Sequence, residues 1–380
     1  AKHRSPRLRL AVAWCRVYEG NEPQLQQLIA DITNQLPQIE EPFQGEILAV
    51  HAIYASLYSR PDDAIEWATR ALSLIEPSDH LSLAAAYQAL GNAYRYQGNL
   101  DAAITAYTQG RQQFEAIGNV FMDQLPLYRI ASIQIMQGRL HQAWQTYESI
   151  RQRAQAAGFE PLIMTGEVFG HLSDLYWEWN DLEQAQAYAR QEIELAQSGH
   201  MLLALVDGYL KLAAATAAQG DGTAAREALR LAAATAVQLQ SVPVSAQVAL
   251  HQARHDLAWG NLIAAAAWAN EYARQRADGT GILPPLLVQS ADLLLARIWL
   301  AQGQTTAVLE LLQGVIPQCE AIGRIQLLVE AYVLQALAWA RQNQEADAQT
   351  ALTQALTLAK QEGYIRVFVE NGPMLAPLLI

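Results

Sequence analysis

Between Ala86 and Ala116 the chain reads AYQALGNAYRYQGNLDAAITAYTQGRQQFEA. Apolar or small residues at Ala86, Leu90, Ala93 and Tyr94 keep the spacing of one helical face, and Gln97-Gly98-Asn99 then breaks the pattern. A second helical pattern runs through Leu100, Ala103, Ile104 and Tyr107. The two segments predict short amphipathic helices joined by a tight glycine turn, an αα-hairpin. One hairpin of this size cannot bury its own apolar face, so the pattern requires neighbours of the same kind.

Those neighbours recur along the chain. A small residue five positions after a turn residue marks each unit: Ala64, Ala103, Ala143, Ala185, Ala225, Ala265, Val308 and Ala348, at intervals of 39 to 43 residues. A weaker copy, Leu25, follows Gly20. The turn markers are Ser59-Arg60-Pro61, Gly98, Gly138, Asn180, Gly220, Gly260, Gly303 and Asn343. A second glycine set, Gly118, Gly158, Gly199, Gly279, Gly323 and Gly363, falls where each second helix should end, at the left-handed position that glycine adopts without steric cost. Two markers locked in phase predict an all-α solenoid of about nine hairpins with a period near 40 residues. Thr280-Gly281-Ile282-Leu283-Pro284-Pro285 reads as one longer internal loop, since the repeat phase resumes beyond it.

Leu90, Gly91, Tyr94, Ala103 and Tyr107 resemble the tetratricopeptide (TPR) pattern, with Gly110 at its third small position. The usual proline after the second helix is replaced by Glu115, and the period exceeds the 34 residues of an ordinary TPR. Such lengthened repeats look like the TPR-like sensor region of the large bacterial LuxR-type, ATP-dependent transcription activators related to the maltose activator. The segment from Glu362 to Leu379 resembles that family's exit from the solenoid. The resemblance implies a right-handed superhelical solenoid over residues 1–361 and a tail over 362–380 leading toward a DNA-binding domain. It also implies a nucleotide-binding switch before the solenoid and a helix-turn-helix after it. The opening at Ala1 fits a piece of a longer polypeptide.

Composition narrows the function. A length of 380 residues suggests two or three domains, but a repeat array grows without new cores. The net charge of −12 argues against a nucleic-acid surface, which needs clustered Lys and Arg. The basic run Lys2, His3, Arg4, Arg7 and Arg9 is short and reads as a solvated end. Cys15 and Cys319 form no disulfide framework, so a reducing cytoplasm is the expectation. The apolar run 201–218 is broken by Asp207 and Lys211, so no membrane span is expected.

Catalytic signatures are lacking: the sequence holds neither a phosphate-binding P-loop nor a nucleophile elbow. His251 and His255 share a helix face at the spacing of metal ligands, but Gln252 stands where a zinc protease needs its glutamate. No enzyme activity, metal or cofactor is expected. The functional surface of a solenoid is its concave wall, made mostly by the first helix of each hairpin. Placing each unit in register with Leu90, Gly91 and Tyr94 turns Asn92, Arg95 and Tyr96 inward, then Tyr128 and Ser132, then Asp174 and Trp177, and further on Arg254 and Arg297. Aromatic faces beside bidentate hydrogen-bonding groups suit a polar ring such as a sugar, and equally an extended peptide whose carboxylate meets Arg95. The expected function is a non-catalytic sensor of a bacterial transcription regulator that binds an inducer or a protein partner. The competing reading is a constitutive TPR adaptor without a small-molecule ligand.

Overall fold

The computed structural model describes residues 12, 27, 30, 31 and 41–378, less 58–59, 120, 159–162, 282 and 284. The copy around Gly20 and Leu25, the basic opening, Cys15 and Ser59 lie outside the described residues. Every described element is helical. The long helices are α1 (Glu41–Leu57), α2 (Pro61–Leu74), α3 (His80–Tyr96), α4 (Leu100–Ala116), α5 (Gln124–Met136), α6 (Leu140–Ala156), α7 (Ile163–Glu178) and α8 (Leu182–Ser198). They continue as α9 (Leu202–Ala218), α10 (Gly222–Leu239), α11 (Val242–Ala258), α12 (Leu262–Asp278), α13 (Pro285–Ala301), α14 (Thr305–Ile322), α15 (Ile325–Arg341) and α16 (Glu345–Lys360). Two short helices, α17 (Arg366–Glu370) and α18 (Gly372–Leu375), follow. None is long and apolar enough to cross a membrane.

Consecutive long helices pair into hairpins at the turns the sequence marks. Gly98, Gly138, Gly220, Gly260 and Gly303 have φ between +73° and +89°, and Asn180 and Asn343 adopt the same region at +59° and +60°. An L-residue with a bulky Cβ pays for that conformation, which is why Gly and Asn alternate there. The next residue often caps the second helix. Asn99, Asp181, Asp221 and Asn261 each accept a hydrogen bond from the N–H three residues on, as Asp79 does for α3, at 3.0–3.4 Å. Each cap is worth about 1 kcal/mol.

The second set of left-handed residues departs from expectation at one turn. Gly118, Gly158, Gly279, Gly323 and Gly363 have positive φ, but Gly199 lies at −87° and His200 takes the left-handed conformation at +54°. Helix α8 runs to Ser198, so Gly199 closes it in right-handed geometry and the reversal falls one residue later. After α10 the same role is filled by Gln240 at +50°, where the sequence shows no glycine.

The small residues after the turns are the points of closest packing. Ala64, Ala103, Ala143, Ala185, Ala225, Ala265, Val308 and Ala348 are all at most 1% exposed. Around them, fully buried aromatic and aliphatic side chains such as Tyr54, Tyr107, Tyr147, Ile133, Leu172 and Leu175 fill the inter-helix space. Each large aliphatic side chain withdrawn from water contributes about 2 kcal/mol.

The chain divides into two compact units, residues 1–133 and 134–380. In the first, Ile47, Val50, Ile53, Tyr54, Ala86, Ala89 and Leu90 form the core between α1, α2 and α3. In the second, one apolar cluster joins α8 to α11 through Ile193, Leu205, Val206, Leu210, Leu229 and Val248. The end of the second unit folds back on its beginning. The Ile365 N–H donates to the Glu178 carbonyl at 2.9 Å and Trp179 Nε1 to the Glu362 carbonyl at 2.9 Å. The His141 N–H meets the Glu362 carboxylate at 3.0 Å. Gly279 is left-handed, Thr280, Gly281 and Leu283 are irregular, and helix resumes at Pro285.

Gly91 shows how tight the hairpin is. A Cβ built there would lie 2.5–2.8 Å from the Tyr107 ring. Gly91→Ala gains about 1 kcal/mol of helix propensity but overpacks a filled site, a cost of about 1–3 kcal/mol. A lower urea midpoint is expected, and a midpoint raised above wild type would show that the ring gives way freely.

Candidate functional site

In the first unit the inward positions build a hydrogen-bonded ladder. Tyr107, on the second helix of its hairpin, donates its hydroxyl proton to Asn92 Oδ1 at 2.7 Å. Asn92 Nδ2 donates to Ser56 Oγ at 3.1 Å, and that hydroxyl donates to the Ile53 carbonyl at 2.8 Å. Asn92 is therefore buried with both ends of its amide occupied, and it braces α1, α3 and α4. Tyr128 is buried beneath the Arg129 guanidinium, 5.3 Å from its ring. The Ser132 hydroxyl turns back to the Arg129 carbonyl at 2.8 Å. Arg95 is half-buried beside the Tyr107 hydroxyl, and Tyr96 is 43% exposed. Of the five inward residues expected here, Arg95 and Tyr96 offer reachable polar or aromatic surface, while Asn92, Tyr128 and Ser132 support the wall.

The second unit carries two charged clusters. The first centres on Lys211 of α9, whose ammonium lies 3.5 Å from Asp174, 3.6 Å from Glu192 and against Asp207. Burial works to lower the pKa of Lys211, but its three carboxylate neighbours outweigh that and hold it well above the ordinary value. Burial likewise pushes Asp207 upward, and the Lys211 charge prevails and leaves its pKa lowered. Glu192 behaves differently. It is 1% exposed, wedged where Gly170 and Gly208 have no side chains, and burial pushes its carboxyl up to about 9 against the pull of Lys211. At neutral pH Glu192 is thus protonated, while Asp174 and Asp207 face water with 43% and 45% of their side-chain surface.

The second cluster gathers arginines around Glu330. Arg297 Nε lies 2.5 Å and Arg254 Nη2 3.3 Å from the same Glu330 oxygen. Arg297 also reaches Glu370 at 3.8 Å and Asn371 at 3.3 Å, which ties α13 to the chain's last helices. Beside them Glu178 is buried, accepts from Gln326 Nε2 at 2.6 Å, and has its pKa raised to about 8 by burial, with Glu370 and Glu330 adding to the rise. Trp177 lies 4.6 Å beneath the Arg366 guanidinium, which also donates to Asn180 Oδ1 at 2.9 Å. Arg254 and Arg297 are therefore brought together, Asp174 belongs to the lysine cluster, and Trp177 is covered by the returning tail.

The inward register locates these residues but not their partners. Glu192 sits on a second helix, outside the register, and its only trace in the sequence is the pair of glycines that make room for it. Arg366 and Glu370 lie in the tail, and their long-range contacts, Arg366 to Trp177 and Asn180 and Glu370 to Arg297, leave no periodic signal. His255 is buried against Trp259 with ring centroids 5.2 Å apart, and burial first of all lowers both His251 and His255 to about 4. Cys319 is fully buried and its thiol is pushed up to about 11, chiefly by burial.

Residues 45–380 match the sequence profile of the family described as the MalT-like TPR region. A curated relative, the HTH-type transcriptional regulator MalT of Serratia proteamaculans, is 21% identical over 394 residues, covering 99% of this chain and 41% of the relative. The chain thus spans about two fifths of the length of the curated relatives it matches. Among solved structures, a Rap protein complexed with Competence and Sporulation Factor aligns with a TM-score of 0.66 at 14% identity, over 98% of each chain. The apo form of the quorum sensor NprR from B. thuringiensis aligns with a TM-score of 0.63 at 14% identity, over 83% of this chain and 89% of that one. At such identities the likeness is one of fold.

The protonated carboxyls make stability fall with pH. Glu192 and Glu178 keep their protons in the folded chain to about 9 and about 8, whereas the unfolded chain releases them near 4.5, so each lowers stability progressively above that pH. Buried His51, His251 and His255, lowered to about 4, act oppositely, but only between about pH 4 and 6.5. Between pH 7 and 9 the carboxyls lead the decline, joined toward pH 9 by the buried Cys319 thiol, which the unfolded chain ionises first. Glu192→Gln is expected to keep the fold and to flatten the decline of the urea-unfolding free energy over that range by about one proton's linkage, or about 1.4 kcal/mol per pH unit. An unchanged slope would show that Glu192 is ionised in the folded chain.

Proposed function

The chain belongs to the MalT-like TPR family, and on that premise we propose that it is the non-catalytic effector-binding region of a bacterial transcription regulator. In this reading the first helices of the hairpins present the binding surface, and the ligand is a small polar inducer or a short peptide. The supporting observation is the water-reachable charge at these positions in the second unit: Asp174, Asp207 and Arg254 each keep 43–45% of their side-chain surface open. Surface charges that serve only solubility are usually spread over outer faces, whereas these gather on successive first helices beside buried, titration-shifted partners. A Rap conjugation gene regulator of similar fold was captured in complex with the Phr* peptide, which favours a peptide within this ligand range.

Binding would act through differential affinity. An effector shifts the array between two arrangements only by as much as it binds one better than the other. The tail contacts at Trp177–Asn180 offer a physical link, because they connect the first helices of the second unit to residues 362–371. In the full-length protein we assign the reading of that shift to a preceding nucleotide-binding domain and a following helix-turn-helix, with this region making no nucleic-acid contact itself.

Thermal unfolding of the chain against sugars, amino acids, nucleotides and short peptides tests the proposal. A ligand specific to the folded form stabilises it by about 2.7 kcal/mol at a hundred times its dissociation constant. A saturable rise with one class, lost in Arg254→Gln or Asp207→Asn, is the expected result. A flat panel, together with recovery of a protein partner that binds without any small molecule, would replace the sensor by a constitutive adaptor.

A further inference from the structure

We propose that the Lys211 cluster receives a primary ammonium group of the ligand, which takes over Asp174 and Asp207 while Lys211 passes to Glu192. The proposal deepens the binding reading above and rests on it, naming the ligand class. Among the described residues, Lys211 is the one cation with three carboxyl groups within 4 Å of its charge. They come from three consecutive helices, Asp174 from α7, Glu192 from α8 and Asp207 from α9. His171 joins the group through its Nδ1, 3.5 Å from Asp174 Oδ2. A lysine that only fastens two helices needs one counter-charge. Here nearly half of each aspartate side chain is open to water, while Glu192 is enclosed.

Glu192 is the member whose bonding is incomplete. Its Oε2 is enclosed and has no hydrogen-bond partner, and this same oxygen faces Lys211 Nζ at 3.6 Å, beyond hydrogen-bonding distance. The backbone makes room for it: a Cβ at Gly170 would collide with the carboxyl, and one at Gly208 would lie 3.4 Å from Oε2. A buried oxygen left unused costs stability, and a donor that closes on it removes that cost. Burial keeps Glu192 protonated, so two aspartates face one ammonium, an excess of one negative charge. A second cation is therefore favoured, and the water-facing aspartates are where it can enter. Its three rotatable donors suit two carboxylates that come from different helices. Lys211 is held in direct contact with Asp207. Released from it, the flexible stem has only to close the gap to Glu192, whose carboxyl proton then passes to solvent. A metal ion suits the cluster less well, because Lys211 already stands where the carboxyls converge, and no three described ligands are arranged to hold one.

The test is calorimetric titration of the chain with tetra-alanine, N-acetyl-tetra-alanine, glucosamine and N-acetylglucosamine, at constant ionic strength and in two buffers of different ionisation heat. Saturable binding of the free peptide or the amino sugar is expected, about tenfold or more tighter than that of its acetylated form. The pair that discriminates tells a peptide N-terminus from a sugar amine. Asp174→Asn and Asp207→Asn should each weaken that binding about tenfold, while Glu227→Gln, at an exposed ion pair with Arg230, leaves it unchanged. The wild-type chain should release more protons on binding than Glu192→Gln does, by up to about one. Should Asp207→Asn lower the urea midpoint, Asp174→Asn decides alone. Absence of binding by both amines, undiminished binding in the aspartate variants, or equal proton release by Glu192→Gln overturns the proposal. Acetylated forms that bind as tightly as the free ones overturn it too, and leave the sensor reading standing.

Discussion

Close approach of helix backbones at one position per hairpin is the constraint on which the fold depends. A residue no larger than valine at Ala103 and its seven equivalents lets the two helices of a hairpin touch, and nothing else in the pattern could substitute for that contact. Left-handed residues at the turns then set where the second helix starts, and caps such as Asn99 and Asp181 hold the start in place. The larger side chains fill what remains. Gly91 beneath the Tyr107 ring illustrates the logic, since the ring can reach Asn92 only because α3 has no side chain at that point.

Once the helices are packed, some polar side chains are cut off from solvent, and the structure treats them in two ways. Some are neutralised. Glu192 and Glu178 retain protons because burial outweighs the attraction of Lys211 or Arg254, so the unit carries less internal charge than its formula suggests. Others stay charged and face one another. Arg254 and Arg297 share Glu330, and the tail residue Glu370 joins them. Such networks are costly to break on one side, because a lone charge remains.

That property suits a regulatory binding region. A ligand that supplies or removes one charge among these groups changes the balance of a whole network. The tail between Glu362 and Asn371 is tied into the same network and into Trp177–Asn180. The first unit has its own polar system, the ladder from Tyr107 to the Ile53 carbonyl.

Much of this could be read from residues alone. The hairpins, their turns, the buried small residue of each unit and membership in a TPR-like family follow from local rules: helical period, left-handed glycine and capping, all of which act within about 40 residues. Helical period also grouped Asp174, Arg254 and Arg297 on the first helices of their hairpins, and these three do stand in the charged clusters. What each inward residue does was decided by tertiary structure. Asn92 became a brace because Tyr107 and Ser56 both reach it. Trp177 was covered because Arg366 returns from the tail, and Glu192 became a neutral acid because two distant glycines enclose it. Periodicity reports which side a residue faces. Whether that side then meets water, a ring or an opposite charge depends on elements far away in sequence, and only the packed chain determines it.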